Sequence, residues 1–385
     1  MLTCQKDFFT LSDEVTYLNN SYYSPFTKGV EQAGLDSFEL KRQPYKLEPH
    51  LFFEHPAALR AEFSKLVGAN DPDRIAIMPS VSYGMATVAN NVKLEKNENV
   101  IIADEQFPSN FYVWERLTRE AEATLIRIAP PEALENRGAT WNTQILEAIS
   151  ENTKVVTLGN VHWADGTLFD LKAIRKRTRE VGALLIIDGT QSVGALPFNI
   201  QEIQPDALIC AGYKWLLGPY GLTLGYFSSY FDHGKPIEDN WQNRLDSHKF
   251  ENLVNYQPEY REKAQRFNMG QQSTFFLSSM SQEALRQLNE WGPNNIQEYC
   301  NALTTPAVAE LREMGCWIEN ENNRAKHLFG IRLPEHASLE KMQEALAENN
   351  IKISVRGSAV RLATHLYNDE NDMQKLVDCF KEAIN

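Results

Sequence analysis

Two short apolar runs, each ending on a charged residue, constrain this chain more than any other feature. The stretch Ala183 to Phe227 reads ALLIIDGTQSVGALPFNIQEIQPDALICAGYKWLLGPYGLTLGYF. The first run, Ala183 to Ile187, stops at Asp188, followed by Gly189, Thr190 and Gln191. The second, Ala207 to Ala211, stops at Gly212, Tyr213 and Lys214. Uninterrupted apolar runs bounded by turn residues predict strands of a parallel sheet buried on both faces. Ligands of such sheets sit beyond the carboxyl ends of the strands. One strand is therefore expected to bring a carboxylate, and another an amine, to the same sheet edge.

A lysine amine beside a buried carboxylate suits pyridoxal phosphate (PLP) chemistry. The amine forms a Schiff base with the aldehyde, and the carboxylate keeps the pyridine nitrogen protonated so that the ring acts as an electron sink. An acid capping a turn and an ordinary solvated lysine account for the spacing equally well.

The string DGTQSVGALPFNI, followed by PDALICAGYKWLLGPYGLTLGYF, resembles fold-type I PLP enzymes of the class V aminotransferase group, which includes cysteine desulfurases, kynureninases and isopenicillin N epimerase-like proteins. The resemblance implies an α/β fold with a mostly parallel central sheet flanked by helices and a smaller C-terminal α+β domain. It implies Lys214 as the Schiff-base lysine, Asp188 as the partner of the pyridine nitrogen, and Gln191 as a donor to the cofactor's phenolic oxygen. Tyr213 matches the position that reaches the phosphate in bacterial kynureninases.

Composition sets the outer limits. A chain of 385 residues is long enough for two domains. A net charge of −13 argues against nucleic acid as a main partner, because phosphate backbones require basic patches. The five cysteines are scattered and form no C-x-x-C pair, the usage of a reducing compartment rather than of a disulfide framework or zinc site. The first residues, MLTCQKDFFTLSDEV, hold no apolar signal core, and no run approaches membrane-spanning length. A cytoplasmic protein without a metal site is expected; His50 and His55 have no cysteine pair to complete a zinc pattern.

Taken in order, the chain is expected to divide into an N-terminal segment (1–25) that serves the small domain and the active site, a large PLP-binding domain (26–275) and a small domain (276–385). YLNNSYYSPF reads as a loop; the resemblance places Asn20 beside the active site, although a surface turn explains it as well. Helices are expected at Lys28 to Arg42 and Ala57 to Val67, and a strand at Ile75 to Met78. Ser80, Val81 and Ser82 then open a helix whose free N–H groups suit a phosphate. A strand at Val100 to Ala103 leads to Phe107, Pro108 and Ser109, a triplet similar to the kynureninase segment whose phenylalanine stacks on the pyridine ring; Asn110 is a nearby polar contact. A strand at Thr124 to Ile128, a loop over Pro130 to Ala139 and a helix at Ile145 to Ser150 follow. His162 is expected to line the pocket with Trp163 but not to act as a second catalyst, since proton transfer in this fold falls to the released lysine.

The polar stretch Ser228 to Lys263 reads as a long irregular segment. In the resembled family this region lies at a dimer interface, and a tryptophan there, here Trp241, can reach the neighbouring subunit's cofactor. Gln271 stands where relatives commonly place a threonine that caps the partner's phosphate. Helices at Gln282 to Trp291 and Ile296 to Glu313 precede the last pieces: strands at Cys316 to Ile318, His327 to Leu333 and Ile351 to Leu362, and helices at Leu339 to Asn349 and Asp372 to Ile384.

ISVRGSAVRLATHLYNDENDM resembles the ending of family members in which the residue at the Arg361 position binds the substrate α-carboxylate, with Arg356 a weaker second candidate. A guanidinium suits that task because it makes two parallel bonds to a carboxylate and keeps its charge. The reaction expected is that of an aminotransferase, acting on an amino acid in a homodimer. A kynureninase-like hydrolase, a β-eliminating lyase and an epimerase are the alternatives, and a PLP-fold binding protein is the non-enzyme one. The desulfurase branch is disfavoured because ISVRGSAVRLATH carries no cysteine. The kynureninase branch lacks the histidine that would stand at Gln191.

Overall fold

The computed structural model describes residues 2–384. In chain order the elements are β1 (Thr16–Tyr17), α1 (Lys28–Arg42), α2 (Leu51–Leu66), β2 (Ile75–Met78), α3 (Val81–Asn90), β3 (Asn99–Ala103), α4 (Tyr112–Glu120), β4 (Thr124–Ile128), α5 (Arg137–Ala148), β5 (Thr153–Gly159), α6 (Leu171–Val181), β6 (Leu184–Asp188), α7 (Ile200–Ile203), β7 (Ala207–Ala211), β8 (Thr223–Phe227), α8 (Phe275–Trp291), α9 (Pro293–Glu313), β9 (Leu328–Arg332), α10 (Leu339–Glu348), β10 (Ile351–Lys352), β11 (Ser354–Arg356), β12 (Ala359–Ala363) and α11 (Glu370–Ile384).

Seven strands form the central sheet in the order β2-β8-β7-β6-β5-β3-β4. Every pairing is parallel except the two made by β8. Successive residues of one strand enter two different cores: Ile101, Val156, Leu185 and Leu208 pack on one face, and Ile102, Val155, Ile186 and Ile209 on the other. Burial on both faces is why these strands are continuously apolar instead of alternating.

A second core gathers Leu303 to Leu311 of α9 with β9, α10, β12 and α11. It surrounds a three-stranded antiparallel sheet, β11-β12-β9. The N-terminal segment belongs to this unit: β1 pairs in parallel with β10, and Leu18 is buried in the same core. α8 packs instead on α1 and α2.

Several expectations are corrected. α2 starts at Leu51, six residues before Ala57, and contains Pro56 in its second turn. Proline donates no hydrogen bond to the carbonyl four residues back; the Ser273 hydroxyl donates to that Phe52 carbonyl instead, at 2.6 Å. α5 begins at Arg137, inside the expected loop, and ends at Ala148. Cys316 to Ile318 forms no strand and contributes only a bridge, Trp317 to Arg332. The expected strand at Ile351 to Leu362 is three, because β10 pairs with β1 while β11 and β12 make a hairpin. The N-terminal loop contains β1.

Candidate active site

The carboxyl ends of β2, β3, β5, β6 and β7 surround one cavity of about 260 Å³. Ser80, Val81 and Ser82 arrive from β2, Phe107 from β3, His162 and Trp163 from β5, Asp188 and Gln191 from β6, and Tyr213 and Lys214 from β7. The sheet register makes this convergence. Gly159 lies opposite Asp188, and Asp188 opposite Ile209, so the three loops leave the sheet at one level.

Lys214 is 6% exposed. Its Nζ lies 5.2 Å from the centre of the Phe107 ring and 5.5 Å from that of Tyr213. Burial drives the amine down to about 8; Asp188 opposes this, and Arg361 and Arg356 add to it. Burial also raises the Asp188 carboxyl, against the hydrogen bonds from Thr190 and the charge of Lys214. The Thr190 N–H donates to Asp188 Oδ1 at 3.0 Å and Thr190 Oγ1 accepts from the Ala211 N–H at 3.2 Å, so the two strand ends are tied to each other.

At the far side of the cavity α3 begins. Ser80 caps it, its hydroxyl accepting from the Tyr83 N–H at 3.1 Å, and Ser82 donates to Ser109 Oγ at 2.9 Å. The cavity thus runs from a helix N-terminus with hydroxyls, which favours an anion, to a buried amine and acid. An amine of lowered pKa in a dry pocket is a nucleophile and a proton carrier near neutral pH.

Other candidates lie around this centre. Gln191 is 5% exposed; its amide N–H donates to the Ser21 carbonyl at 3.1 Å, and its Oε1 accepts from Trp215 Nε1 at 2.8 Å. It holds the N-terminal segment against the residue after Lys214. Asn20 does not line the cavity. It is buried, its Nδ2 directed at the Lys214 carbonyl at 3.5 Å and its Oδ1 accepting from Tyr367 at 3.2 Å. Asn110 is also outside the cavity, bonded to Trp114, Thr157 and Gln106.

His162 borders the cavity, yet Nδ1 faces Asp165 Oδ1 at 3.0 Å and Nε2 faces the Glu105 carbonyl at 3.1 Å. Neither nitrogen is offered to a ligand. Burial works to raise the Asp165 carboxyl, but His162, Arg137 and the Thr167 N–H hold it well below the usual range.

Arg361 is buried behind Trp163. Its Nη1 donates to the Trp163 carbonyl at 2.7 Å, and its Nε has no partner among the described residues. Trp241 and Gln271 lie away from the cavity in this chain, both exposed, with Trp241 packed on Phe52, Phe53 and Phe250.

Sequence reasoning missed Gln106, Ser109, Thr190, Tyr220 and Thr223, which supply further polar groups to the wall. Thr190 and Ser109 each lie two residues past a residue already singled out, a signal that was present. Thr223 opens β8, and only the antiparallel setting of β8 brings its first residue to this edge.

A family model for aminotransferase class-V matches residues 50–376. An uncharacterized aminotransferase, YcbU, of Bacillus subtilis (strain 168) is 28% identical over 323 residues, covering 83% of this chain and 81% of that protein. An isopenicillin N epimerase of Amycolatopsis lactamdurans is 23% identical over 361 residues, covering 84% and 83%. Among solved structures, an apo cysteine desulfurase of Thermococcus onnurineus NA1 superposes with a TM-score of 0.83 at 17% identity, covering 100% and 99% of the two chains. A mutant of C-DES with glycine covalently linked to its PLP cofactor gives 0.87 at 16% identity, covering 99% and 100%. The chain belongs to the aminotransferase class-V family and is a pyridoxal-phosphate-dependent enzyme of fold type I that acts on amino acids.

Proposed function

We propose that Lys214 is the lysine that carries the cofactor and that the enzyme transaminates its amino-acid substrate. The observation that carries this reading is one cavity holding the buried Lys214 amine and the Asp188 carboxylate at one end and the N-terminus of α3 at the other. These groups fit pyridoxal phosphate: an amine for its aldehyde, an acid for its ring nitrogen, the Phe107 ring for its face, and N–H and hydroxyl groups of Ser80, Val81 and Ser82 for its phosphate. Tyr213 stands beside Lys214, and Gln191 keeps one N–H for the phenolic oxygen.

When bound, the cofactor supplies an electron-withdrawing ring that stabilises negative charge at the substrate's α-carbon. The chain's own groups do the rest. Asp188 holds positive charge at the ring nitrogen. Lys214, once released, takes and returns the proton at the α-carbon, for which a pKa of about 8 suits it. Arg361 receives the α-carboxylate, and Asn20 holds the Lys214 backbone.

No cysteine lines the cavity among the described residues. Cys210 is buried, and burial raises its thiol well above the usual value, so no reactive thiol stands ready to take sulfur. This favours transamination over desulfuration. Among the described residues no helix is long and apolar enough to cross a membrane. The cysteines are unpaired, which fits the cytoplasm.

A second copy of the chain covers the face that exposes Trp241, Leu253, Val254 and Tyr256. Such an apolar patch is the mark of an interface, and it brings Trp241 and Gln271 within reach of the partner's cofactor. Sedimentation at micromolar concentration is expected to give a dimer.

The test of the cofactor reading is visible absorbance of the purified protein before and after borohydride, with Lys214→Ala alongside, followed by an amino-acid and 2-oxo-acid product screen. A yellow band trapped by borohydride on the peptide containing Lys214 supports the assignment. A band that survives unchanged in Lys214→Ala refutes it. Release of ammonia or an alkene-derived oxo acid without an amino acceptor refutes transamination.

A further inference from the structure

The cavity is lined by one cation, Lys214, and one acid, Asp188, and two further guanidiniums, Arg361 and Arg356, stand at its Trp163 wall without lining it, in a chain whose net charge is −13. Lys214 feels Arg361 and Arg356 as like charges and Asp188 as its one opposing charge. Neither guanidinium has an ion-pair partner among the described residues. Arg361 bonds only a carbonyl, that of Trp163, and Arg356 only that of Val355, at 2.8 Å. Both stand over the same indole, which also forms the cavity wall: Arg356 Cζ is 5.6 Å and Arg361 Cζ 5.9 Å from the centre of Trp163. Phe107, whose ring meets that indole edge-on at 5.5 Å, connects this wall to the Lys214 amine.

The hairpin makes the pairing. Arg361 on β12 lies opposite Ser354, two residues before Arg356 on β11, so both side chains rise from one tight hairpin beside Trp163. Two like-charged guanidiniums held close without acids destabilise each other and the fold. The nearest compensation is a ligand. A zwitterionic amino acid with one carboxylate accounts for Arg361 alone and leaves Arg356 without a counter-charge.

We infer that the substrate carries a second acid group, with Arg361 taking the α-carboxylate and Arg356 the distal one. This rests on the amino-acid reading above and names its substrate class: a dicarboxylic α-amino acid, or one whose side chain ends in another anion. Trp163 is the platform that sets the spacing of the two guanidiniums; each spends one Nη1 bond on a backbone carbonyl, and Arg361 Nε is left without a partner among the described residues.

The test titrates the PLP-loaded protein with L-glutamate, L-2-aminoadipate and L-glutamine and follows the visible absorbance. At least one diacid is expected to saturate the change at about tenfold or more lower concentration than L-glutamine, the ratio that one charge-assisted pair gives. Arg356→Gln is expected to close that gap to within about twofold, and Arg356→Lys to restore part of it. A second measurement needs no variant: glutarate is expected to raise the thermal unfolding midpoint of the wild-type protein more than butyrate at equal concentration. A protein with a lysine-trapped band in which glutamate, aminoadipate and glutamine saturate together overturns the two-acid inference and leaves the Lys214 assignment standing. A protein without that band, whose midpoint still rises with glutarate over butyrate, overturns the Lys214 assignment and keeps the paired subsite.

Discussion

Replacing Lys214 by methionine is expected to make the cofactor-free protein more stable. The amine is 6% exposed, and burial, opposed by Asp188 and reinforced by Arg361 and Arg356, brings it from 10.5 to about 8. The unfolded chain therefore holds its proton more tightly than the folded one between these two values. Stability rises with pH across that window and is lowest below it. At about 1.4 kcal/mol per pH step, the folded state gives up roughly 3 kcal/mol at neutral pH to keep this lysine buried. Methionine has similar length and no charge to desolvate. Urea unfolding of the two cofactor-free proteins near neutral pH is expected to favour Lys214→Met by about 2–3 kcal/mol, less than the full amount because Asp188 loses its neighbouring cation. As pH rises toward 10.5 the wild-type protein gains the difference back and the two curves converge. Equal stability at neutral pH, or a gap that does not narrow with pH, would falsify the reasoning.

Further outcomes follow from other buried groups. His365 is fully buried with both ring nitrogens unpartnered among Phe9, Trp215, Trp291 and Tyr367, so His365→Phe is expected to raise the urea midpoint by the equivalent of about 1–2 kcal/mol. Burial pushes His327 to about 4 and, with His327 beside it, His365 to about 3, so the unfolded chain takes up protons first as pH falls below 6.5; an equilibrium unfolding series in acid is expected to lose stability at up to about 1.4 kcal/mol per pH step for each histidine. Arg137→Met removes one end of the buried pair with Asp165, 2.6 Å long, and is expected to cost about 3–5 kcal/mol in urea unfolding. Gly194 adopts φ +106°, and an added Cβ would stand 2.1 Å from the carbonyl of Trp215, the residue after Lys214; Gly194→Ala is expected to lose about 2 kcal/mol or more and to take up PLP more weakly, measured by absorbance.

The sheet was legible because burial on both faces leaves a run such as LLIID no room for polar residues, and the acid at its end announces the sheet edge. α1 was legible from Lys28 to Arg42, where Thr27 accepts from the Val30 N–H to start the helix and one face, with Val30, Gly34 and Ser37, is buried. α2 was misjudged at its start because the compensation for Pro56 is a hydroxyl from Ser273, more than two hundred residues away. α5 was misjudged because Asn136 enters it from a left-handed conformation with no side-chain cap. The centre of the site could be read from motif order, since Asp188 ends a strand and Lys214 and Phe107 each follow one within a few residues. Its periphery could not. Thr223 depends on the direction of β8, and the relation of Arg356 to Arg361 depends on where the final strand breaks.

The pairing of β1 with β10 also sets when the site can be finished during synthesis. Ser24 donates both its N–H and its hydroxyl to the Tyr213 carbonyl, and Asn20 approaches the carbonyl of Lys214, so the N-terminal segment braces Lys214. That segment is itself held by residues at the other end of the chain: Ser354 donates to Asn19 Oδ1 across 335 residues. A ribosome adding 5–20 residues per second takes roughly 17–70 s to cover that distance. For that interval the first residues to emerge have no strand to join, although all seven strands of the central sheet have been made once Phe227 is added. The strands of the central sheet are all made before Lys214 is braced, and the last strands to leave the ribosome dock the first one.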